Sequence, residues 1–342
     1  MTIAEQPVGR ILFGYWEGED VVVIRMEENE WELHCHGGYA AVNRVQNSLE
    51  SRNVQIQDWR EFQNDLVSTL AREFQIAISE SVTWKTAELL LRHPTTTWIH
   101  QLRCWVKALA ESPSTGLASE IQTQCEHIVD KSQIGIRLTK AARVVLAGAP
   151  NVGKSSLLNR LAGYERSIVQ NRPGTTRDTF GAEIALGGYP VTLTDTAGIR
   201  ETDDSLESAG ISRARQVLST ADLILFLIDG TAAPTLEENQ FLEQYPDAVP
   251  VLHKSDQAVH PERTMTSGLL RVSALTGEGT KTLIDEIVRL IVPASPDSST
   301  IFPITRRQRN CLHEIVSATK EQNFERLNQS IKDLLTDPLS ID

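Results

Sequence analysis

Apolar positions change period along the chain, and each change marks a change of expected structure. Residues 9–33 carry short β-rich runs at 10–13, 21–24 and 31–34, punctuated by Gly14, Gly18 and Asn29, which predicts a small sheet. From about 59 to 139 the spacing turns helical. Phe62, Leu66, Leu70 and Phe74 recur at steps of four, and Ile121, Cys125 and Ile128 follow likewise, with Pro94 and the stretch 112–116 as breaks. From Arg143 onward, strand-like runs alternate with helix-like runs, the signature of parallel strands covered by crossover helices. Residues 293–299 read as a linker, and 305–335 return to the helical period. The segments predicted are a small N-terminal α/β domain at 1–58, a helical first part at 59–141, an α/β domain at 142–292, and at 293–342 a linker with the second helical part. The α/β domain is thus inserted into a helical one.

Composition narrows the class. At 342 residues the chain exceeds one ordinary core. No apolar run approaches the ~18 to 20 residues of a membrane-spanning helix, and the N-terminus lacks a basic segment followed by an apolar core, so the expected location is cytoplasmic. Cys35, Cys104, Cys125 and Cys311 are scattered without CxxC spacing, which argues for reduced thiols over a disulfide framework or a four-cysteine zinc site. A formal charge of -12 disfavours nucleic-acid binding by the whole surface, so any RNA contact is local.

The chemistry concentrates between Gly148 and Leu275. After the apolar run 144–146 stands Gly148-Ala149-Pro150-Asn151-Val152-Gly153-Lys154-Ser155, a full match to the phosphate-binding loop, with Ser156 continuing into a helix predicted over 155–161. The glycines let backbone N–H groups close round phosphates, Lys154 sets a charge beside the outer ones, and the Ser155 hydroxyl is a magnesium ligand. The run 191–193 predicts a strand ending in Asp195-Thr196-Ala197-Gly198, where Asp195 holds the magnesium shell and the Gly198 N–H reaches the γ-phosphate. Between them, in Gly174-Thr175-Thr176-Arg177-Asp178, Thr176 completes the magnesium coordination only when the γ-phosphate is present, as a switch would. After the run 249–252 comes His253-Lys254-Ser255-Asp256. The Asp256 carboxylate suits guanine N1–H and its exocyclic amine, whereas adenine leaves it poorly paired. Ser273-Ala274-Leu275 follows the run 270–272 and supplies a backbone N–H for the guanine carbonyl.

At these residues the chain resembles the tRNA-modification GTPase family called MnmE or TrmE. The likeness is closest from Ile136 to Ile291, in the wording of 148–161, 174–178, 195–200 and 273–279. Gly18-Glu19-Asp20 and residues 32–38 resemble a matching pair in the family's N-terminal domain, with longer spacing here. The resemblance implies an α/β P-loop GTPase domain, Ras-like with a mostly parallel sheet, inserted in an α-helical domain and preceded by a small N-terminal α/β domain. Ile199 stands where Ras-like enzymes carry a water-orienting glutamine, so catalysis comes from elsewhere. The family's catalytic loop glutamate falls on Glu207, and its potassium-binding asparagine on Asn151. Further potassium contacts fall on Gln170, Arg172 and Thr175, where a fixed cation offsets charge developing in the transition state. Implied partners are GTP and GDP, a second copy of the chain through the N-terminal domain, tRNA, and the family's FAD-dependent partner MnmG or GidA.

The pattern also breaks in places. The family's CxGK-type motif is not found in 333–342, and Cys311 lies too early to stand for it. The family's N-terminal domain binds a formyl-tetrahydrofolate, but the chain begins too late for that domain's first half. Glu32 alone matches a folate contact, and the reading here leans against a folate derivative. His253 replaces an asparagine that contacts guanine N7 and ties its loop to the phosphate loop. An imidazole can donate one hydrogen bond but cannot copy an amide, so the expectation is guanine specificity kept through Asp256 at weaker affinity. His34, Cys35 and His36 read as structural, since neighbours on a strand face opposite sides. Arg306, Arg307 and Arg309 read as a solvated helix face. The function expected is GTP hydrolysis in tRNA wobble-uridine modification. The alternatives are a non-modifying regulatory or assembly switch, or an Era- or Der-like ribosome-assembly GTPase, which the acidic charge disfavours.

Overall fold

The computed structural model describes residues 6–59, 68–164, 181–196, 214–263, 269–292 and 295–335. The chain divides into two compact units, Met1–Asp65 and Leu66–Asp342. In the first, β1 (Ile11–Trp16), β2 (Glu19–Glu27) and β3 (Glu30–His34) form an antiparallel sheet in the order β1-β2-β3. Glu17 and Gly18 both have positive φ, the backbone that a two-residue hairpin turn requires between Trp16 and its partner Glu19. Helix α1 (Tyr39–Glu50) buries Ala41 and Val45, and Ser48 accepts from the Trp16 indole at 2.9 Å.

The second unit holds a six-stranded sheet in the order β5-β6-β4-β7-β8-β9. The strands are β4 (Ala142–Gly148), β5 (Gly181–Leu186), β6 (Tyr189–Asp195), β7 (Leu223–Asp229), β8 (Val249–His253) and β9 (Leu270–Val272). All neighbours pair in parallel except β5 with β6, an antiparallel hairpin turned at Gly187 and Gly188. The central strands β4 and β7 are buried almost throughout, which is why they read as continuous apolar runs without alternation. Strand β5 carried no such run and escaped the sequence reading.

Helices α2 (Thr69–Glu80), α3 (Trp84–Leu91), α4 (Thr95–Glu111), α5 (Thr115–Asp130) and α6 (Ser132–Thr139) precede β4. Ser68, Thr83 and Ser114 cap α2, α3 and α5 by accepting from backbone N–H groups in the first turn. Helix α7 (Lys154–Tyr164) follows β4, α8 (Leu236–Gln244) follows β7 and α9 (Thr280–Ile291) follows β9. The last two helices, α10 (Arg306–Lys320) and α11 (Phe324–Leu335), return to the first set, with α10 against α5 and α11 against α4 and α2. The α/β domain is therefore an insertion in a helical one.

Two polar centres, one part-buried and one buried, join the two sets of helices. Glu73 on α2 accepts from Arg307 Nε at 2.9 Å and Nη2 at 2.7 Å, from Gln308 Nε2 at 2.7 Å and from Thr305 Oγ1 at 3.0 Å. Arg307 Nη1 also donates to the Asp333 carbonyl at 2.7 Å, near the end of α11. The expected solvated basic face is thus corrected at its centre, because Arg307 turns inward. Nearby, His93 stacks on Phe74 at 4.1 Å and meets Trp98 and Phe302 edge-on. Its Nε2 accepts the Phe302 N–H at 3.2 Å, so its Nδ1–H donates to Thr95 Oγ1 at 2.8 Å.

Burial pushes the His93 pKa down to about 3 from an ordinary 6.5. Between those values the unfolded chain binds a proton that the folded chain refuses. Stability from this group is whole above pH 6.5 and falls below it, by up to about 1.4 kcal/mol per pH unit. Urea unfolding at pH 7.5 and pH 5 is expected to show a smaller acid loss in His93→Gln than in the native chain. Arg307→Ala strands the Glu73 carboxylate, and the same experiment at pH 7.5 is expected to give a loss of about 3 kcal/mol.

Candidate functional site

The site forms at the carboxyl ends of the parallel strands, where loops leave β4, β6, β7, β8 and β9. The β4–α7 loop needs unusual backbone: Gly148 has φ 142°, Asn151 60° and Gly153 105°. A Cβ on Gly148 would sit 2.5 Å from the Leu227 carbonyl of β7, so only glycine lets the loop leave the sheet there. Asn151 tolerates the left-handed region, and its side chain is exposed. Lys154 is buried, its Nζ donating to the carbonyls of Gly148 at 3.1 Å and Ala149 at 2.9 Å. Its ammonium is thereby held inside the loop's curve.

Strand pairing brings the second motif beside this loop. Leu146 and Asp195 are register partners, and Thr196 N and Oγ1 both donate to the Leu146 carbonyl, at 3.2 and 3.1 Å. Ser155 Oγ then donates to Asp195 Oδ2 at 2.6 Å. Two hard oxygen donors from separate motifs thus stand in direct contact, a pair whose chemistry fits magnesium. Gln170, Arg172, Gly174, Thr175, Thr176, Ala197, Gly198 and Glu207 lie outside the described residues.

The base-side loops are joined to the phosphate loop by His253. Its buried ring donates from Nδ1 to the Val152 carbonyl at 2.9 Å, and Nε2 accepts from the Ala274 N–H at 3.4 Å. The carbonyl acceptor requires the proton on Nδ1, which leaves Nε2 as the acceptor. The one hydrogen bond that an imidazole can donate makes the tie to the phosphate loop. A Cβ on Gly153 would lie 2.5 Å from His253 Cε1, so the ring also occupies the space that Gly153 leaves. Burial lowers the His253 pKa and so favours the neutral ring, which the bond accepted at Nε2 requires.

Asp256 accepts from buried Ser273 Oγ at 2.5 Å, and Ser273 Oγ accepts in turn from the Thr276 N–H at 3.1 Å. The carboxylate is therefore oriented by the next loop. Lys254, at φ 62°, donates to Asp229 Oδ2 at 2.6 Å, while Thr231 bonds the other carboxylate oxygen through N–H and hydroxyl. Burial would raise the Asp229 pKa, but these bonds outweigh it and hold the group below the usual range. Arg160 of α7 donates to the carbonyls of Ala274 at 2.8 Å and Leu275 at 2.6 Å, while the Leu275 side chain stays 78% exposed. The sequence reading missed Arg160 and Asp229. A lone arginine within a helix carries no motif, whereas Asp229 ends an apolar strand beside β4 and could have been found there.

A family model described as a 50S ribosome-binding GTPase matches residues 143–254. The tRNA modification GTPase MnmE of Synechococcus sp. (strain WH7803) is 36% identical over 333 residues, 88% of this chain and 70% of that protein. The chain belongs to the MnmE family of tRNA modification GTPases. The MnmE of Nitrosomonas eutropha is 33% identical, covering 81% of this chain and 66% of that protein. A crystal structure of Aquifex aeolicus Era bound to GDP.AlF4- is 26% identical, covering 52% of this chain and 67% of that one at a TM-score of 0.35. As an MnmE family member the chain is a P-loop GTPase, and its nucleotides are GTP and GDP. GTPases of this kind work with magnesium. No helix among the described residues is long and apolar enough to cross a membrane.

The lesser candidates separate. Strand β3 ends at His34, which contacts Glu32 at 3.2 Å, while His36 lies 3.5 Å from Glu19. No group of three His, Cys, Asp or Glu among the described residues is placed to hold a metal. Cys311 is half-buried on α10, and burial raises its thiol pKa.

His253→Ala removes the tie between Val152 and Ala274 and leaves the Val152 carbonyl unpaired. Titration with a fluorescent GDP is expected to show roughly tenfold weaker binding. His253→Asn is expected to retain most of the affinity, and ATP is expected to fail as a competitor in all three proteins.

Proposed function

We propose that this chain hydrolyses GTP to GDP and phosphate in the service of tRNA wobble-uridine modification. The observation that carries the reading is the convergence of phosphate loop, Asp195 and base loops on one sheet edge, tied through His253. Backbone N–H groups from Asn151 to Ser156 would cradle the phosphates, with the Lys154 ammonium beside the outer ones. Asp256 would accept from guanine N1–H and the exocyclic amine, and the 273–275 loop would meet the carbonyl through backbone N–H. The Ala274 N–H already points at His253 Nε2 and the Ser273 N–H at the Glu278 carbonyl, so Leu275 is the readier donor.

Ser155 and Asp195 would hold magnesium, with Thr176 joining them. The ion would neutralise charge on the outer phosphates. Asn151, Gln170, Arg172 and Thr175 would hold potassium, and Glu207 would orient the attacking water. The reading extends to a homodimer, a tRNA substrate and an FAD-dependent partner of the MnmG or GidA kind. These follow from family membership and from no contact within this chain.

GTP turnover by the purified chain, with magnesium and with potassium compared against sodium at equal ionic strength, tests the chemistry. Potassium is expected to raise turnover roughly tenfold or more, and Glu207→Ala to lower it by a similar factor. Slow turnover indifferent to both changes would overturn the proposed catalytic roles. Unmodified wobble uridine is expected in tRNA from a deletion strain, and unchanged modification there would sink the cellular role.

A further inference from the structure

A cavity of about 1070 Å³ lies between the helical segments and the sheet, remote from the nucleotide loops. Its apolar walls include Ile76 and Ala77 of α2, Ile136 of α6, Ile184 of β5 and Val191 of β6. It is lined at the starting end of β6 by Pro190 and Val191, whereas the nucleotide site lies at the finishing end. About 13 Å of strand separates Val191 from Asp195.

The polar lining is unbalanced. Lys85, Lys140, Arg306 and Arg309 line the cavity, and their side chains make no hydrogen bond or ion pair with another described residue. Glu80 and Glu183 also line it, while Glu73 is bound to Arg307. Trp84 stands on the lining with 80% of its surface exposed. Excess positive charge around an apolar chamber suits a ligand with an anionic group and an extended apolar or aromatic body.

The walls also reach the catalytic machinery. Strand β5 begins three residues after the Gly174–Asp178 loop, and β6 ends at Asp195. The turn between them is gripped from both sides. Thr83 Oγ1 donates to the Gly188 carbonyl at 2.7 Å, and a Cβ on Gly187 would sit 2.7 Å from Val288 of α9. The turn is thus held on both sides, while the other ends of β5 and β6 lead to the nucleotide motifs.

We propose that this cavity is a regulatory site for an amphipathic organic anion, whose occupancy alters GTP turnover through the β5–β6 hairpin. The regulatory half rests on the GTPase reading, and the binding half does not. The probe is 8-anilinonaphthalene-1-sulfonate, an aromatic sulfonate, titrated by fluorescence into the full chain. A saturable site is expected whose Kd rises at least tenfold in Arg306→Glu/Arg309→Glu and in Ala77→Trp, which narrows the chamber at its α2 wall. Melting temperature and GDP binding of each variant report that it is folded, and the charge variant lies on the rim, where folding is least at risk. Saturating probe is expected to change native GTP turnover at least twofold and to leave the charge variant unaffected. Equal probe affinity in the native chain and both folded variants would overturn the site. Variant-sensitive binding with unchanged turnover would overturn regulation. Absent turnover in every condition, with binding still lost in the variants, would fail the GTPase reading while supporting the site.

Discussion

A guanine nucleotide site needs two loops, one for phosphate and one for base, held at a fixed separation by something stiffer than either loop. In this chain that link is the buried imidazole of His253. One ring nitrogen donates to the phosphate loop at Val152, the other accepts from the Ala274 N–H, and the ring body fills the space left by Gly153. Making both bonds at once takes a neutral ring with its proton on Nδ1, and burial favours the neutral form. Arg160 works alongside it from α7, holding the carbonyls of Ala274 and Leu275. The base loop is thus anchored to the phosphate loop and to the helix that follows it.

The β5–β6 hairpin stands in a similar relation to the helices. Its strands connect two nucleotide motifs, and its glycine turn is packed between Thr83, Lys85 and Val288. The end of the hairpin away from those motifs is held by the helices. The inserted domain is thereby mechanically joined to its host as well as covalently continuous with it.

What the sequence disclosed and what it hid divide along physical lines. The phosphate loop, Asp195 and Asp256 were legible because each is a contiguous motif at the end of an apolar run, and strand order brings such ends together. Strands β4 and β7 were legible because burial on both faces writes itself as an unbroken apolar run. Strand β5 was not, although Gly187 and Gly188 marked its turn, because an edge strand with mixed exposure has no such run. His253 was visible as a departure from pattern, but its success as a tie depends on the room beside Gly153, a tertiary property. Arg307 was misjudged for the same reason: its partner Glu73 lies 234 positions away, and helical period alone does not distinguish a solvated arginine from one turned inward.

That separation also bears on how the protein comes into being. The bundle that begins with α2 cannot acquire Arg307, Gln308 or the end of α11 until the whole α/β domain has been synthesised. At elongation speeds of about 5 to 20 residues per second, about 10 to 50 seconds pass between Glu73 and its partners leaving the ribosome. The guest domain completes its local contacts first, while Glu73 and the apolar faces of α2 and α4 wait without their final cover. The host bundle can close only after every residue of its guest has been synthesised, so its apolar faces are the last that chain order allows to be covered.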